Sequence, residues 1–405
     1  MSAMSSAPDL ERASLAAAEP ASTARASGGL LTVLTVAGVF SVANLYYAQP
    51  LAERMADDFH TTAGGLSTAL VGTQLGYAAG MLLLVPLGDV KERRGVMVAT
   101  ACGCALALLA FAAAPSVALL TAAAFAIGVG ASVTQMILPF AVSLGSPAER
   151  GRIVGNVMGG ILAGILLSRT ASGALGKAVG WRAVFVAAAV VMAALALVLR
   201  ALLPAAPPTA TLGYRALLAS LWRIFRRERV LRRRTLVGAL GFAAFMVFWS
   251  TIAFHLAHSP IQGDSRLAGM LGILGLTGIV VAPIVGRLAM KVPPAKINAI
   301  AIATIIASFA VFGWGGDSLV AICAGVVLLD AGAQANHLTN QTVVFGLAPE
   351  ERNRVNAIYM VGYFLGGAAG TAVAAQAWEH GGWVLVSATG AIAAACALPA
   401  LRRAG

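Results

Sequence analysis

The feature that most constrains this chain is a series of apolar segments, each about as long as a membrane is thick. A helix that crosses the hydrocarbon core of a bilayer needs about 20 predominantly apolar residues. Counted with that length, such segments lie at residues 30–51, 66–88, 95–114, 117–139, 153–175, 183–203, 235–257, 266–289, 297–314, 318–342, 354–377 and 382–401. The pattern predicts an all-α integral membrane protein with twelve transmembrane helices.

The composition agrees with an integral membrane protein. Hydrophobic residues make up 59% of the 405 residues and charged residues 11%, whereas a soluble domain has about 25% charged residues. Most of the 45 glycines lie inside apolar segments, where small residues let helices pack closely. The four cysteines lie in apolar runs and have neither zinc-site nor disulfide spacing. We therefore predict no metal, no cofactor and no soluble domain.

The formal charge of +12 is concentrated in the short connections between the apolar segments. Lys and Arg gather in alternate connections, above all in the stretch 215–234, as the positive-inside rule describes for cytoplasmic loops. This distribution predicts that both termini are cytoplasmic and that the number of spans is even. Because no soluble domain carries a basic patch, nucleic-acid binding is not expected.

An internal repeat divides the chain into two halves. The pattern Pro-x-Glu-Arg-x-Arg at 147–152 recurs at 349–354, and Gly180-Trp181 recurs as Gly382-Trp383 at the same offset. Gly160 and Gly164 correspond in the same way to Gly362 and Gly366. Such a repeat predicts two duplicated six-helix bundles with the same membrane orientation.

The predicted domains follow from this repeat. They are a disordered cytoplasmic tail at 1–29, an N-terminal bundle at 30–203, a basic cytoplasmic linker at 204–234 and a C-terminal bundle at 235–405. In the linker, Leu217, Leu221, Ile224 and Phe225 fall on one helical face, which favours a helix lying on the anionic inner leaflet. A solvated linker is the alternative.

Several local motifs carry a resemblance to a known family. Pro86-Leu87-Gly88-Asp89 is followed by Arg93-Arg94, and Gly286-Arg287-Leu288-Ala289 is its counterpart in the second half. With these motifs, with Asn44 to Pro50 and with the run from Asp330 to Gln341, the chain resembles the major facilitator superfamily. Within it the chain is similar to the drug/proton antiporter-like bacterial efflux permeases. Ala124 and Ser168-Arg169 depart from the antiporter patterns of the fourth and fifth helices.

The resemblance implies a fold, a place and a way of working. We expect two pseudo-symmetric six-helix bundles that rock about a central site in a bacterial inner membrane, with the chain acting as a monomer. At the cytoplasmic end of the second helix, the predicted gating residues can meet the positive N-terminal end of the eleventh helix; they are Asp89, Arg93, Arg94 and Arg354. An ordinary positive-inside loop is the alternative. We also expect Gly72, Gly76 and Gly80, and Gly362, Gly366 and Gly370, to form a sliding surface between the halves.

Asp330 is the leading candidate for proton coupling. An acid at the centre of a membrane helix costs about 2.5–3.5 kcal/mol on insertion scales, so it needs a partner, a wet cavity or a proton. Asp330, Gln334, His337 and Gln341 share one helical face, and a histidine titrates near neutrality. We predict that Asp330 takes up and releases the coupled proton and that His337 shares or relays it. In the alternative, Asp330 and the neighbouring amides form a polar seam that never titrates.

The resemblance implies that helices 1, 4, 7 and 10 line a central cavity. The candidate lining residues there are Asn44, Tyr47, Thr134, Gln135, Phe245, Met246, Trp249, Gln334, Asn336 and Gln341. An aromatic and amide lining with little charge favours an amphipathic or weakly basic organic solute, although such residues also serve packing. Arg169, a basic residue inside an apolar span, either pairs with an acid, binds an anionic group or snorkels to the headgroups.

Together these features predict a secondary active transporter that exports a small drug-like solute in exchange for protons. Its partners are the solute, protons and the lipid bilayer. A phosphate-binding Gly-x-x-x-x-Gly-Lys-Ser/Thr loop does not occur, which argues against ATP as the energy source. The intramembrane His and Cys residues are too scattered for an enzyme. Uptake by symport, facilitated diffusion and a non-transporting sensor remain alternatives.

Overall fold

The computed structural model describes residues 28–146, 148–208, 212–347 and 351–402. Nearly all of the predicted N-terminal tail lies outside the described residues, as do Pro147 and Pro349 of the internal repeat. Within the described ranges every regular element is a helix. The predicted all-α architecture is therefore confirmed for that part of the chain.

The described part of the N-terminal half contains six long helical segments. They are α1 (Gly28–Ala43), α2 (Ala63–Val90), α3 (Arg93–Ala112), α4 (Val117–Ser143), α5 (Arg150–Val179) and α6 (Trp181–Leu202). A 3-10 turn (Gln49–Leu51) and a short helix (Ala52–Asp58) connect α1 to α2. Thr62 and Ser116 cap α2 and α4, because their side chains accept hydrogen bonds from backbone N–H groups of the first turn.

The C-terminal half begins after a linker helix (Tyr214–Arg227). Its segments are α7 (Arg229–His258), α8 (Ser265–Leu288), α9 (Pro294–Gly315), α10 (Leu319–Leu347), α11 (352–381) and α12 (383–395). Gly382 separates α11 from α12 with a φ of 57°, and Gly180 separates α5 from α6 with a φ of 85°. Left-handed backbone favours glycine, so both copies of the Gly-Trp repeat mark a sharp break between helices.

Ten helices of the described part are long and apolar enough to cross a membrane. One of them, Arg352–Leu401, spans 50 residues and includes the break at Gly382, while Gly28–Ala43 is shorter, with 16 residues. A count of twelve crossings requires that Arg352–Leu401 cross twice and that the segment after Ala43 extend α1. The count of twelve, like the predicted domain boundaries, stays a prediction.

The repeated glycines pack in the same way in both halves. Gly160 and Gly164 of α5 face Thr35 and Val39 of α1, and Gly362 and Gly366 of α11 face Thr235 and Ala239 of α7. A side chain at any of the four would collide with the neighbouring helix. This equivalence gives the sequence repeat a physical basis, because the same backbone contact is made twice.

The predicted sliding surface is wrong. Gly72, Gly76 and Gly80 of α2 face α4 within the N-terminal half, and Gly362, Gly366 and Gly370 face α7 within the C-terminal half. Helices α2 and α11 do meet, for example through the rings of Tyr77 and Phe364 with centroids 4.3 Å apart. Glycine removes the bulk that keeps backbones apart, so these ladders tighten each half and leave larger side chains between the halves.

The two halves meet closely at the end that the charge pattern predicts to be outside. Gly173 of α5 and Gly269 of α8 lie against each other, so that a Cβ on Gly269 would sit 3.3 Å from the Cα of Gly173. Beyond this crossing, the Lys177 ammonium lies 2.5 Å from the Asp264 carboxylate and lowers the pKa of that carboxyl by hydrogen bonding to it. Glu379 of α11 accepts a hydrogen bond from the N–H of Gly64 on α2, at 2.7 Å.

At the other end, the described side chains of α5 and α8 make no comparable contact. A Cβ on Gly151, Gly155, Gly159 or Gly286 would meet no neighbouring atom within 4 Å. Within α8, Val285 is buried, whereas Val280 and Ile284 are exposed. The structure is therefore closed at the predicted outer end, and α5 and α8 are apart at the predicted cytoplasmic end.

The linker helix lies against the protein. Leu217, Leu221 and Ile224 are buried, the Tyr214 hydroxyl donates to the Leu83 carbonyl on α2 at 2.9 Å, and Arg354 of α11 donates to Ser220 at 3.2 Å. The predicted helix is present. Its apolar face covers the ends of α2 and α11, and its predicted contact with the inner leaflet stays a prediction.

Candidate functional site

Arg169 occupies the centre of the contact between the halves. Its side chain is 2% exposed, and its guanidinium carbon lies 4.6 Å from the ring centroid of Tyr46 and 4.2 Å from that of Trp249. Its Nε donates a hydrogen bond to Gln49 Oε1 at 2.8 Å. Arg169 therefore does not snorkel to the headgroups. Aromatic faces and an amide hold it inside, as expected for a desolvated guanidinium.

Two segments that surround Arg169 depart from regular α-helix. Helix α1 ends at Ala43, and the chain then passes through a turn into the 3-10 segment Gln49–Leu51. Pro50 has no backbone N–H and cannot continue the α-helical hydrogen bonds. Opposite, α8 contains the 3-10 segment Gly272–Leu276. Interrupted helices at membrane depth occur where backbone is buried in protein or lines a cavity.

Asp330 of α10 completes this site. Its side chain is buried, and a Cβ on Gly275 of α8 would lie 3.1 Å from its Oδ2. Arg169 is the opposite charge that acts on Asp330, and Trp249 Nε1 lies near the carboxyl, but no salt bridge joins Asp330 to Arg169. The atoms Arg169 Nη2, Trp249 Nε1 and Asp330 Oδ2 are buried and make no hydrogen bond with the described residues. Two donors and one acid thus share a single region between the halves.

Helix α7 supplies the apolar part of this site. Phe245 lies 5.8 Å from the Arg169 guanidinium, and the Met246 sulfur accepts contacts from the amides of Gln49 at 3.7 Å and Gln74 at 3.9 Å. The structure therefore brings the predicted residues Phe245, Met246 and Trp249 together. The arrangement can bind a small organic group that has both apolar and polar parts.

His337 lies apart from Asp330. Its Nδ1 is 3.1 Å from the Tyr359 hydroxyl, and its ring centroid is 4.6 Å from that of Tyr363. Seven residues of helix separate it from Asp330, or about 10.5 Å along the axis. The structure does not bring the two predicted proton-carrying residues into contact. Of the predicted face, Gln334 lies against Gly278 of α8, and Gln341 donates to Asn356 of α11 at 3.4 Å.

A second buried guanidinium, that of Arg234, organises the asparagines of α10. Arg234 is 5% exposed and donates to Asn298 Oδ1 at 2.7 Å, and Asn298 and Asn340 both donate to Asn336 Oδ1, at 2.7 Å and 3.2 Å. The predicted cavity residue Asn336 thus faces α7 and α9 within the bundle. Asp330 is not a member of this network. Sequence reasoning missed Arg234 because it ends a run of arginines that looks like a cytoplasmic loop.

The predicted cavity residues of the N-terminal half are largely packed within that half. Tyr47 contacts Phe185 with ring centroids 6.5 Å apart. Asn44 and Thr134 donate to backbone carbonyls of their own segments, at 2.9 Å and 2.8 Å. Gln135 donates to the Tyr77 hydroxyl at 2.9 Å. Because α1 ends before Asn44, the chain turns at this point, and Tyr46 and Gln49 rather than Asn44 and Tyr47 lie beside Arg169.

The predicted gate is not assembled in this conformation. Asp89 pairs with Arg93 of the same motif, Arg94 donates to the Leu203 carbonyl at 3.1 Å, and Arg354 pairs with Glu351 at 3.3 Å. A cleft between α2, α4 and α11 separates Asp89 from α11; its walls include Arg93, Gln135, Asn353 and Asn356. The gap between α5 and α8 at the same end, which is the predicted cytoplasmic end, agrees with this separation.

Comparisons with known proteins place the chain in a family. The profile described as "Major Facilitator Superfamily" matches residues 34–371. The chain is 39% identical over 365 residues to the "Uncharacterized transporter YgaY" of Escherichia coli O157:H7, covering 90% of this chain and 93% of that protein. It is 32% identical over 354 residues to the "Probable transporter SCO4007" of Streptomyces coelicolor strain ATCC BAA-471 / A3(2) / M145, covering 87% and 82%.

A solved structure shares the fold. A bacterial homologue of the human lysosomal transporter Spinster, crystallised in an inward-facing and unoccupied conformation, superposes with a TM-score of 0.71. The match covers 92% of each chain at 13% identity, so it supports a shared fold and nothing more. By its family profile and its relatives, this multi-pass membrane protein belongs to the Major Facilitator Superfamily.

Proposed function

We propose that this chain is a proton-coupled secondary transporter of a small organic solute, with Asp330 as the residue that carries the proton. One observation carries the proposal. Buried Asp330 and buried Arg169 both adjoin the 3-10 segment of α8, at Gly275 and Gly272, and no salt bridge joins them among the described residues. A permanent ionised pair with poor geometry is costly at low dielectric, so an acid held this way is suited to take up and release a proton.

The position of this pair suits alternating access. Arg169 lies one helical turn from the crossing of Gly173 with Gly269, which is the contact that closes the outer end. A change in charge at Asp330 would therefore act on the same helices that open and close the site. A ligand shifts such an equilibrium only if it binds one orientation better than the other, and a proton at Asp330 meets that condition if Arg169 moves relative to α10.

The direction of coupling has two candidates. Export in exchange for protons, as the family resemblance implies, requires the solute and the proton to compete for Asp330, as a weakly basic solute would. Co-transport is the second candidate, and Arg169 favours it. A cationic solute would meet a fixed positive charge in a buried site, where like charges repel more strongly than in water.

Reconstituted vesicles with a pH-sensitive dye in the lumen test the proposal. An inward gradient of phenylbutyrate, phenylbutyramide or phenylbutylamine, three solutes that differ only in their head group, is imposed without an initial pH gradient. Exchange makes the lumen alkaline and co-transport makes it acidic. We expect a solute-driven pH change for the wild type and for Asp317→Asn, a control at an exposed acid, and none for Asp330→Asn.

Three results would contradict the proposal. The first is solute uptake without any pH change, which indicates facilitated diffusion. The second is a pH change that persists in Asp330→Asn. The third is the absence of transport for every solute of the panel.

A further inference from the structure

We propose that the solute carries an anionic group, such as a carboxylate, which binds Arg169 and Trp249 when Asp330 is protonated. The inference rests on the proposed function for the role of the proton. It replaces the expectation of a weakly basic solute, because the site contains a guanidinium that the cavity prediction did not include.

The guanidinium of Arg169 presents one edge to the site. The rings of Tyr46 and Trp249 cover its faces, with their centroids 4.6 Å and 4.2 Å from the guanidinium carbon, and its Nε donates a hydrogen bond to Gln49. Of its two terminal nitrogens, Nη2 is a buried donor without a hydrogen bond to the described residues. A carboxylate matches the planar donor edge of a guanidinium better than a neutral group does, so the remaining edge is suited to an anionic head group.

Trp249 adds a second donor. Its ring packs on the guanidinium, and its buried Nε1 lies near the Asp330 carboxyl without making a hydrogen bond of normal geometry to the described residues. An indole N–H only donates, so it fits an acceptor. Two unpaired donors beside each other favour a group with two acceptor oxygens over an ammonium, which would offer only further donors.

Asp330 is the internal competitor for these donors. The charged or titratable groups beside it are Arg169 from α5 and, next to Arg169, Tyr46 from the α1 segment, while α7 offers the indole of Trp249 and α8 the backbone around Gly275. An ionised Asp330 would repel a second carboxylate and attract Arg169. A protonated Asp330 is neutral and neither repels the carboxylate nor attracts Arg169. The proton and the anionic solute therefore bind at the same time rather than one after the other.

The rest of the solute meets apolar walls. Phe245 and Met246 of α7 and Leu166 of α5 adjoin the Arg169–Asp330 region. Apolar lining with a few convergent polar groups is typical of small-molecule sites. The site therefore favours an aromatic or aliphatic body with one anionic end.

Binding to the purified full-length protein in detergent tests this inference with phenylbutyrate, phenylbutyramide and phenylbutylamine as probes. Ligand-induced thermal stabilisation is measured at mildly acidic and mildly alkaline pH. We expect stabilisation by phenylbutyrate alone, and more at acidic pH. Trp249→Phe keeps the aromatic face and loses the donor, and it should weaken binding by about tenfold to a hundredfold, as for the loss of a hydrogen bond to a charged group.

Two further variants separate binding from a structural role. Asp330→Asn removes the competitor, so phenylbutyrate should bind with little dependence on pH. Arg169→Lys keeps the charge and loses the planar edge, so the affinity should fall by about tenfold or more. The matched control is Arg182→Lys, since Arg182 also lies 4.2 Å over a tryptophan ring, that of Trp181, but at the predicted outer surface. If Arg169→Lys does not fold, Trp249→Phe and Asp330→Asn still test whether the carboxylate binds at this site.

Stabilisation by phenylbutylamine, phenylbutyrate binding unchanged in Trp249→Phe, or no stabilisation by any probe would overturn the inference. The vesicle assay keeps the two proposals distinguishable. Carboxylate binding without a proton signal would contradict the proposed function alone, and proton-coupled transport of the amine would contradict the anionic solute alone.

Discussion

Two buried guanidinium groups show how this chain stabilises charge inside an apolar fold. Arg169 lies between aromatic rings and bonds a glutamine, while Arg234 is held by asparagine side chains. Neither forms a salt bridge with an acid of the described residues. An unpaired buried charge is costly, and the two arginines make different contacts. The Arg234 network bonds helices of one half to each other, whereas Arg169 faces an acid across the interface between the halves.

Arg234→Gln tests the structural role of the asparagine network. The variant removes the charged donor to Asn298 and leaves the Asn298 oxygen unpaired in the core. We expect a loss of about 1.5–3 kcal/mol, the usual contribution of a hydrogen bond to a charged group, read as a lower unfolding temperature in detergent. Arg229→Gln, at an exposed position of the same helix, is the control. Equal unfolding temperatures for the two variants would show that the network contributes nothing.

At the scale of elements, the crossing of α5 with α8 is the decisive contact. Gly173 and Gly269 let the two backbones touch, Thr170 donates to the Gly269 carbonyl at 3.0 Å, and Ser265 donates to the Gly173 carbonyl at 3.2 Å. The crossing lies one turn beyond Arg169, so the contact that joins the halves at the predicted outer end also fixes the position of the guanidinium. The predicted glycine ladders identified the right kind of contact in the wrong helices, because glycine spacing does not tell which neighbour it faces.

Gly269→Val should separate α5 from α8. The new side chain would collide with the Arg169 carbonyl and with Gly173, and overpacking of this kind costs about 1–3 kcal/mol. We expect a lower unfolding temperature and weaker phenylbutyrate binding. The control is Gly155→Val on α5, where the added side chain meets no neighbour within 4 Å. A Gly269→Val protein as stable as the control would contradict the assigned crossing.

At the scale of the whole molecule, the two halves touch at one end and are apart at the other between α5 and α8. Apolar clusters hold each half together, and a third cluster that includes Tyr77, Phe242, Tyr359 and Phe364 joins the halves. An asymmetric interface of this kind is compatible with the proposed alternating access, in which one end of the interface closes as the other opens. The linker helix contacts α2 and α11 at the predicted cytoplasmic end, so we expect it to follow such a movement.

Cross-linking should detect this asymmetry. In a background where Cys102, Cys104, Cys323 and Cys396 are replaced by alanine, a short thiol cross-linker should join Lys177→Cys to Asp264→Cys, whose native side chains form an ion pair at 2.5 Å. It should not join Asn156→Cys to Ile284→Cys, at exposed positions toward the predicted cytoplasmic ends of α5 and α8. The reverse pattern in the resting protein would mean that the outward-facing state predominates.

The sequence by itself determined the helical membrane architecture, the duplication and the candidate acid. These depend on segment length, on repeated residues and on the cost of a carboxyl in lipid, all of which are local properties. Only the tertiary structure decided that Arg169 lies in the central site, that Tyr46 and Gln49 rather than Asn44 and Tyr47 reach it, and that Asn336 belongs to the Arg234 network. The physical reason is that helical spacing assigns a face only while the helix is unbroken. The partner that a face meets depends on packing between residues more than a hundred positions apart, such as Gln49 and Arg169.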